Sequence, residues 1–269
     1  MRFRLLSALT FFLILGVSGT ANAVTINAYL SAPDAQFAPS GFTGTTVETF
    51  NSLATGNRVT DYIVPNFGTY SLNSTRRLAV LQDNQYGNGT ENYVSLGAQS
   101  GSSSPVTLTF LTPVRYFAFA YQAGDNNNGI TFFNGNDMIG RFSTASILSL
   151  LGNRVTGSVQ AVNGTIYQSS AFFGKPTTTN TNAGEPYSFV NFFSPDGAFT
   201  RVVFDNSNTA GTGFETDNHT ISATSQTPQG DFVLVGGVAV VPEASTLTLF
   251  GGASLSFVVA MCARRRLKA

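Results

Sequence analysis

The stretch Val114 to Tyr121 (VRYFAFAY) constrains the fold more than any other. Read with a period of two, it puts Phe117, Phe119 and Tyr121 on one face and Tyr116, Ala118 and Ala120 on the other. A strand that is apolar on both faces must be covered on both, which places it in the middle of a sheet. Around it, short apolar stretches alternate with Gly, Asn, Ser and Thr, and no helical period persists. Val106-Thr-Leu-Thr-Phe110 alternates as a half-buried strand does. Ile130 to Phe133, Asn134-Gly-Asn136 and Met138 to Phe142 read as a hairpin, because Asn-Gly tolerates positive φ. Further strands are expected at Tyr187–Phe193, Phe199–Phe204 and Phe232–Val235. One short helix is expected over Thr144–Leu151, opening on Ser143 or Thr144 and closing at Gly152. Ala223 to Gly230 is polar and reads as a linker or as a loop before the last strand.

Many short strands separated by turn signals predict an all-β fold, an antiparallel β-sandwich of jelly-roll form. The 24 Phe and 9 Tyr fit a core between two sheets. The only cysteine is Cys262, so no disulfide staples residues 24–241, and the domain rests on its own core. That stretch is long enough to bury one.

The formal net charge is zero, but it hides an asymmetry. Of 14 basic and 14 acidic residues, Arg2, Arg4, Arg264, Arg265, Arg266 and Lys268 lie at the ends, as does Glu243. Residues 24–241 therefore hold 8 basic and 13 acidic side chains. A mildly acidic body is a poor ligand for phosphate backbones, which excludes nucleic acid as an expected partner.

The termini read as address labels. Met1-Arg-Phe-Arg4 is a basic start, Leu5 to Val17 an apolar core, and Ala21-Asn-Ala23 a small-residue site for signal peptidase. Cleavage is expected after Ala23. From Ala244 to Ala263 no side chain is charged. Twenty helical residues span about 30 Å, the thickness of a bilayer's hydrocarbon, so a C-terminal transmembrane helix is expected. Arg264, Arg265 and Arg266 then stay cytoplasmic, and the body lies on the periplasmic side of the inner membrane.

Pro242-Glu-x-Ser-Thr246, the paired Gly251-Gly252 and the terminal arginines resemble the PEP-CTERM sorting tail of Gram-negative bacteria that make exopolysaccharide. The resemblance covers about the last thirty residues and implies an exosortase as partner. It also implies Val241, Pro242 and Glu243 as recognition residues and removal of the tail on the way to the cell surface. Ala244 stands where the family carries a second proline. Pro242 suits this role physically, because it biases Val241 to an extended conformation that an enzyme can grip. The three domains expected are thus a signal peptide (1–23), a β-sandwich surface domain (24–241) and a sorting tail (242–269).

The densest polar cluster is Gly213-Phe-Glu-Thr-Asp-Asn-His-Thr220, shortly after Phe204-Asp-Asn206. Asp205, Glu215, Asp217 and Asn218 are oxygen ligands of the type that Ca²⁺ takes, and equally residues that cap turns. No other cofactor is expected. Asp125-Asn-Asn-Asn-Gly129 lacks the spacing of a calcium loop and reads as a turn. His219 is the only histidine, no Gly-x-Ser-x-Gly elbow is present, and nothing points to a serine partner. The expected function is a non-enzymatic surface or matrix protein associated with exopolysaccharide. The alternatives are a carbohydrate-binding module, weakened by the absence of Trp, and a polysaccharide hydrolase built on two of the carboxylates.

Overall fold

Two antiparallel sheets face each other across a core of phenylalanines in the computed structural model. It describes residues 24–82, 91–102, 105–174, 184–206 and 211–239. These belong to one compact unit bounded by Ala23 and Val241. Ala21, Ala23, Val241, Pro242, Glu243, Arg264, Arg265 and Arg266 lie outside the described residues, as does the expected span 244–263. Among the described residues no helix is long and apolar enough to cross a membrane.

The chain opens with β1 (Thr25–Leu30), β2 (Thr45–Glu48), β3 (Gly56–Arg58), β4 (Tyr62–Val64), β5 (Gly68–Ser71) and β6 (Leu78–Leu81). Then come β7 (Tyr93–Gly97), β8 (Val106–Val114), β9 (Tyr116–Gly124), β10 (Asn128–Asn134) and β11 (Asp137–Ser143), followed by the helix α1 (Thr144–Leu151). A small hairpin, β12 (Ser158–Gln160) with β13 (Ile166–Gln168), precedes β14 (Ser188–Phe193), β15 (Phe199–Asn206), β16 (Gly213–Ser222) and β17 (Val233–Ala239). The first sheet runs β17-β1-β14-β9-β16-β7-β6-β3, with β2 beside the far half of β16. The second runs β11-β10-β15-β8-β5-β4. From β7 to β16 the chain crosses repeatedly from one sheet to the other, so neighbours in each sheet are distant in sequence.

The faces of β9 divide as its period of two requires. Phe117, Phe119 and Tyr121 enter the main core between the sheets, while Tyr116, Ala118 and Ala120 enter a second cluster on the outer face. The loop from Ser31 to Gly44 crosses that outer face. It seats Ala35, Ala38 and Phe42 on Phe193 and Phe232, with the Phe42 and Phe232 rings stacked 5.9 Å apart. The first sheet is thus covered on both sides, which is why its central strands carry almost no exposed residue. Across the main core, Phe192 of β14 meets Phe132 at 4.8 Å and Phe142 at 5.0 Å, and Phe119 meets Phe204 at 5.9 Å. Each such ring removes enough apolar area from water to contribute about 1.5–3 kcal/mol.

Local expectations fare as follows. The helix spans Thr144–Leu151, with Ser143 extended before it and the Gly152 N–H closing on the Leu148 carbonyl. The hairpin turns at Gly135-Asn136, where Gly135 takes φ 58°. Val114–Tyr121 proves to be the end of one strand and the start of another. β8 stops at Val114 in the second sheet, and Tyr116 begins β9 in the first. Ala223–Gly230 is the loop joining β16 to β17.

Candidate functional site

The polar cluster Gly213–Thr220 is no loop. It forms β16, a central strand paired with β9 along its length, and it is buried throughout. Burial forces each polar side chain on it to find a partner.

On the inner face, His219 is sealed among Phe50, Phe117, Phe119 and Phe204, its ring stacked on Phe204 at 5.3 Å. Its Nδ1 lies 2.8 Å from the Tyr70 hydroxyl and its Nε2 2.9 Å from Thr216 Oγ1. Desolvation pushes the imidazole down to a pKa of about 3, so it is neutral at ordinary pH. Its hydrogen bonds run to two neutral hydroxyls, neither of them a serine. This arrangement makes His219 a packed, hydrogen-bonded core residue.

A bulge in β16 separates the faces. Asp217 lies opposite Ala120 and Thr220 opposite Ala118, so Asn218 and His219 together face Phe119. Asn218 absorbs the extra residue at φ 51°, a conformation that Asn tolerates better than any branched side chain. Its Nδ2 donates to the Gln36 carbonyl at 3.0 Å and its backbone N–H to Asp217 Oδ1 at 2.7 Å, pinning the Ser31–Gly44 loop to the strand. Gln36 in turn donates to the Tyr187 hydroxyl. Asn218→Val should therefore cost about 1–3 kcal/mol in a urea-unfolding midpoint, whereas Asn218→Gly, which keeps the backbone at ease, should cost less. Equal losses from the two would refute the conformational account.

Glu215 and Asp217 lie on the outer face, each in different company. The Ser95 hydroxyl lies 3.5 Å from Glu215 Oε1. That oxygen and Gln99 Oε1 both come within 2.1 Å of the point where a Cβ on Gly213 would sit, so a larger residue there would have to displace these two side chains. Burial, and then the nearby Asp125 and Glu185 carboxylates, push the Glu215 carboxyl up to about 8. Burial pushes Asp217 up to about 8 as well, with Glu91 and Glu48 adding to it. Both carboxyls are therefore protonated at neutral pH. Asp125 and Glu185 are also raised by desolvation, and Asp125 Oδ2 accepts the Gly213 N–H at 3.1 Å.

The four expected calcium ligands do not come together. Asp205 lies on the other sheet, in β15, and is committed to Arg141 through two bonds of 2.5 and 2.7 Å. Glu215, Asp217 and Asn218 share β16, but no group of three or more His, Cys, Asp or Glu side chains converges on a metal position among the described residues. The crossing between β15 and β16 sends Asp205 to a different sheet from the three residues it stands near in sequence.

The feature that sequence reading passed over is an open cleft of about 360 Å³ at the edge of the Ser31–Gly44 loop. Phe37, Pro39, Gln229, Asp231 and Phe232 are part of its lining. Phe37 is 52 % exposed, the one aromatic ring so exposed among the described residues. A Gln-Gly-Asp turn before an apolar strand was the available signal, but its partner, the Phe37 loop, is nearly two hundred residues away.

No protein-family model, curated protein or solved structure matches the chain.

Proposed function

We propose that the chain is an exported, non-enzymatic surface protein. Its body, a jelly-roll sandwich in which β7, β16, β9 and β14 oppose β8, β15, β10 and β11, is delivered outward through an exosortase-type tail and associates with exopolysaccharide. One observation carries the reading. The last strand ends at Ala239, and the Val241-Pro242-Glu243 element follows after a single residue, ahead of the uncharged stretch and the arginines. Pro242 biases Val241 to an extended conformation that a processing enzyme can grip, and the order of element, uncharged stretch and arginines is the one the resemblance implies. Burial of His219, Glu215 and Asp217 in packing roles supports a non-enzymatic body.

The test is the pair Pro242→Ala and Glu243→Ala in the native host. The substituted chain is expected to stay in the inner-membrane fraction with its C-terminal tail attached, while the parent chain reaches the surface lacking both ends. Equal surface fractions for the two chains would sink the reading.

A further inference from the structure

We propose that the cleft between the Phe37 loop and the Gln229–Phe232 turn is a binding site for an uncharged saccharide, with Phe37 as the stacking face and Asp231 and Gln229 as hydrogen-bonding partners. The proposal rests on the surface-protein reading for the presence of a polymer and adds to it a place and a ligand class.

Three observations converge. First, the cleft's volume of about 360 Å³ lies within the range of small-molecule sites, roughly 300–1,000 Å³. Second, its lining is mixed in chemistry: it brings the exposed Phe37 and Pro39 together with Gln229 and Asp231. A pyranose ring has the same duality: a face of C–H groups that lies on an aromatic ring, and a rim of hydroxyls that a carboxylate and an amide can engage. Third, the Gly230–Phe232 segment is held in place before any ligand arrives. Asn163 Nδ2 donates to Asp231 Oδ1 at 2.8 Å. The backbone of the β12–β13 turn is bonded to the same segment, Val162 N–H to the Phe232 carbonyl at 2.8 Å and Asn163 N–H to the Gly230 carbonyl at 3.0 Å. The Asn163 amide, followed by the Tyr167 hydroxyl, keeps the Asp231 carboxyl below its usual range and hence ionised. A fixed acceptor loses little freedom on binding, which favours affinity.

The same lining sets the charge of the ligand. No lysine or arginine is among the residues lining the cleft, and a carboxylate is. A uronate, sulfated or phosphorylated sugar would meet repulsion there with no cation to offset it. Neutral hexoses and N-acetylhexosamines fit, and acidic polymers do not.

The experiment uses the full chain in detergent micelles and saturation-transfer NMR. The probes are neutral oligosaccharides of glucose, mannose and N-acetylglucosamine, with polygalacturonate as the acidic counter-probe. Saturable binding of at least one neutral probe is expected, with no binding of polygalacturonate. Phe37→Ala and Asp231→Ala should each weaken binding by about tenfold or more, since truncating an anchoring contact has effects of that size. Phe37 is exposed, so Phe37→Ala should leave the melting temperature unchanged; Asp231→Ala also removes the bond to Asn163 and should lower it by no more than a few degrees, which leaves both variants folded at the temperature of measurement. No binding of any neutral probe, binding untouched by both substitutions, or equal uptake of polygalacturonate overturns the proposal. Surface delivery is read separately in the Pro242 and Glu243 variants. A chain that reaches the surface yet binds no neutral sugar removes the cleft and leaves the surface reading standing.

Discussion

Raising the pH from 6.5 to 9 should destabilise the sandwich by about 4 kcal/mol, and Glu215→Gln combined with Asp217→Asn should remove most of that loss. Both carboxyls sit on the buried outer face of β16 with folded pKa values of about 8. Their ordinary values, 4.5 and 3.8, leave them ionised in the unfolded chain throughout this window. The folded state therefore binds two more protons than the unfolded state at pH 6.5. A group with a raised folded pKa stabilises at low pH, and its contribution fades as pH rises through the folded value. Each group loses about 1 kcal/mol per unit of pH on average between 6.5 and 8, the slope halving as pH reaches the folded pKa. His219 offsets less than about 1 kcal/mol of this, because its ordinary 6.5 leaves the unfolded histidine half protonated at pH 6.5 and neutral at the upper end, while the buried one, at about 3, is neutral throughout. Below pH 6.5 it acts the other way, since the unfolded histidine takes up a proton that the buried one refuses, and the gain on acidification slows. Gln and Asn mimic the protonated acids in shape and keep an acceptor for the Asn218 N–H. The measurement is the urea midpoint of parent and double variant at intervals across the window. A parent midpoint that stays flat or rises with pH contradicts the buried, protonated assignment.

Phe192→Ala should cost about 3–5 kcal/mol, a large share of the stability of an ordinary domain. Phe192 is fully buried in β14 and touches both sheets. It packs on Phe117 and Phe119 within its own sheet and on Phe132 and Phe142 across the core. Removing the ring forfeits its burial and leaves a cavity that two rigid sheets cannot close. Phe37→Ala, at an exposed ring, should shift the midpoint by no more than about 0.5 kcal/mol. Thermal or urea unfolding of the two variants side by side checks the contrast. Similar losses at both positions would mean that the core is not organised around Phe192.

The fold was legible where one residue type could have only one environment. A strand apolar on both faces, as Tyr116–Tyr121 is, has no alternative to the middle of a covered sheet. The helix Thr144–Leu151 followed from its local stop signal at Gly152 and needed no partner. β16 was not legible, because Glu215, Asp217, Asn218 and His219 look like surface residues to any reading by hydropathy. They are tolerated inside because Tyr70 and Thr216 meet His219, Ser95 meets Glu215, the Gln36 carbonyl meets Asn218 and the Asn218 N–H meets Asp217, and of those partners only Thr216 and Asn218 are near in sequence. The proposed calcium ligands failed to converge for the same reason. Asp205 was counted with Glu215 by proximity along the chain, whereas the crossing between β15 and β16 sends them to different sheets.

Local chemistry alone decided that this chain is built of short antiparallel strands, that it must stand without disulfides, and that its ends differ in kind from its body. These properties are set by side-chain period, by cysteine count and by runs of charge and hydropathy, all of which act over a few residues. Only the tertiary structure decided which face of β16 carries the neutral histidine and which the protonated acids. It alone formed a cleft from Phe37 and Asp231. Both outcomes depend on pairings between distant strands and loops, and the stability of such pairings comes from contacts that exist only once the sheets have closed on each other.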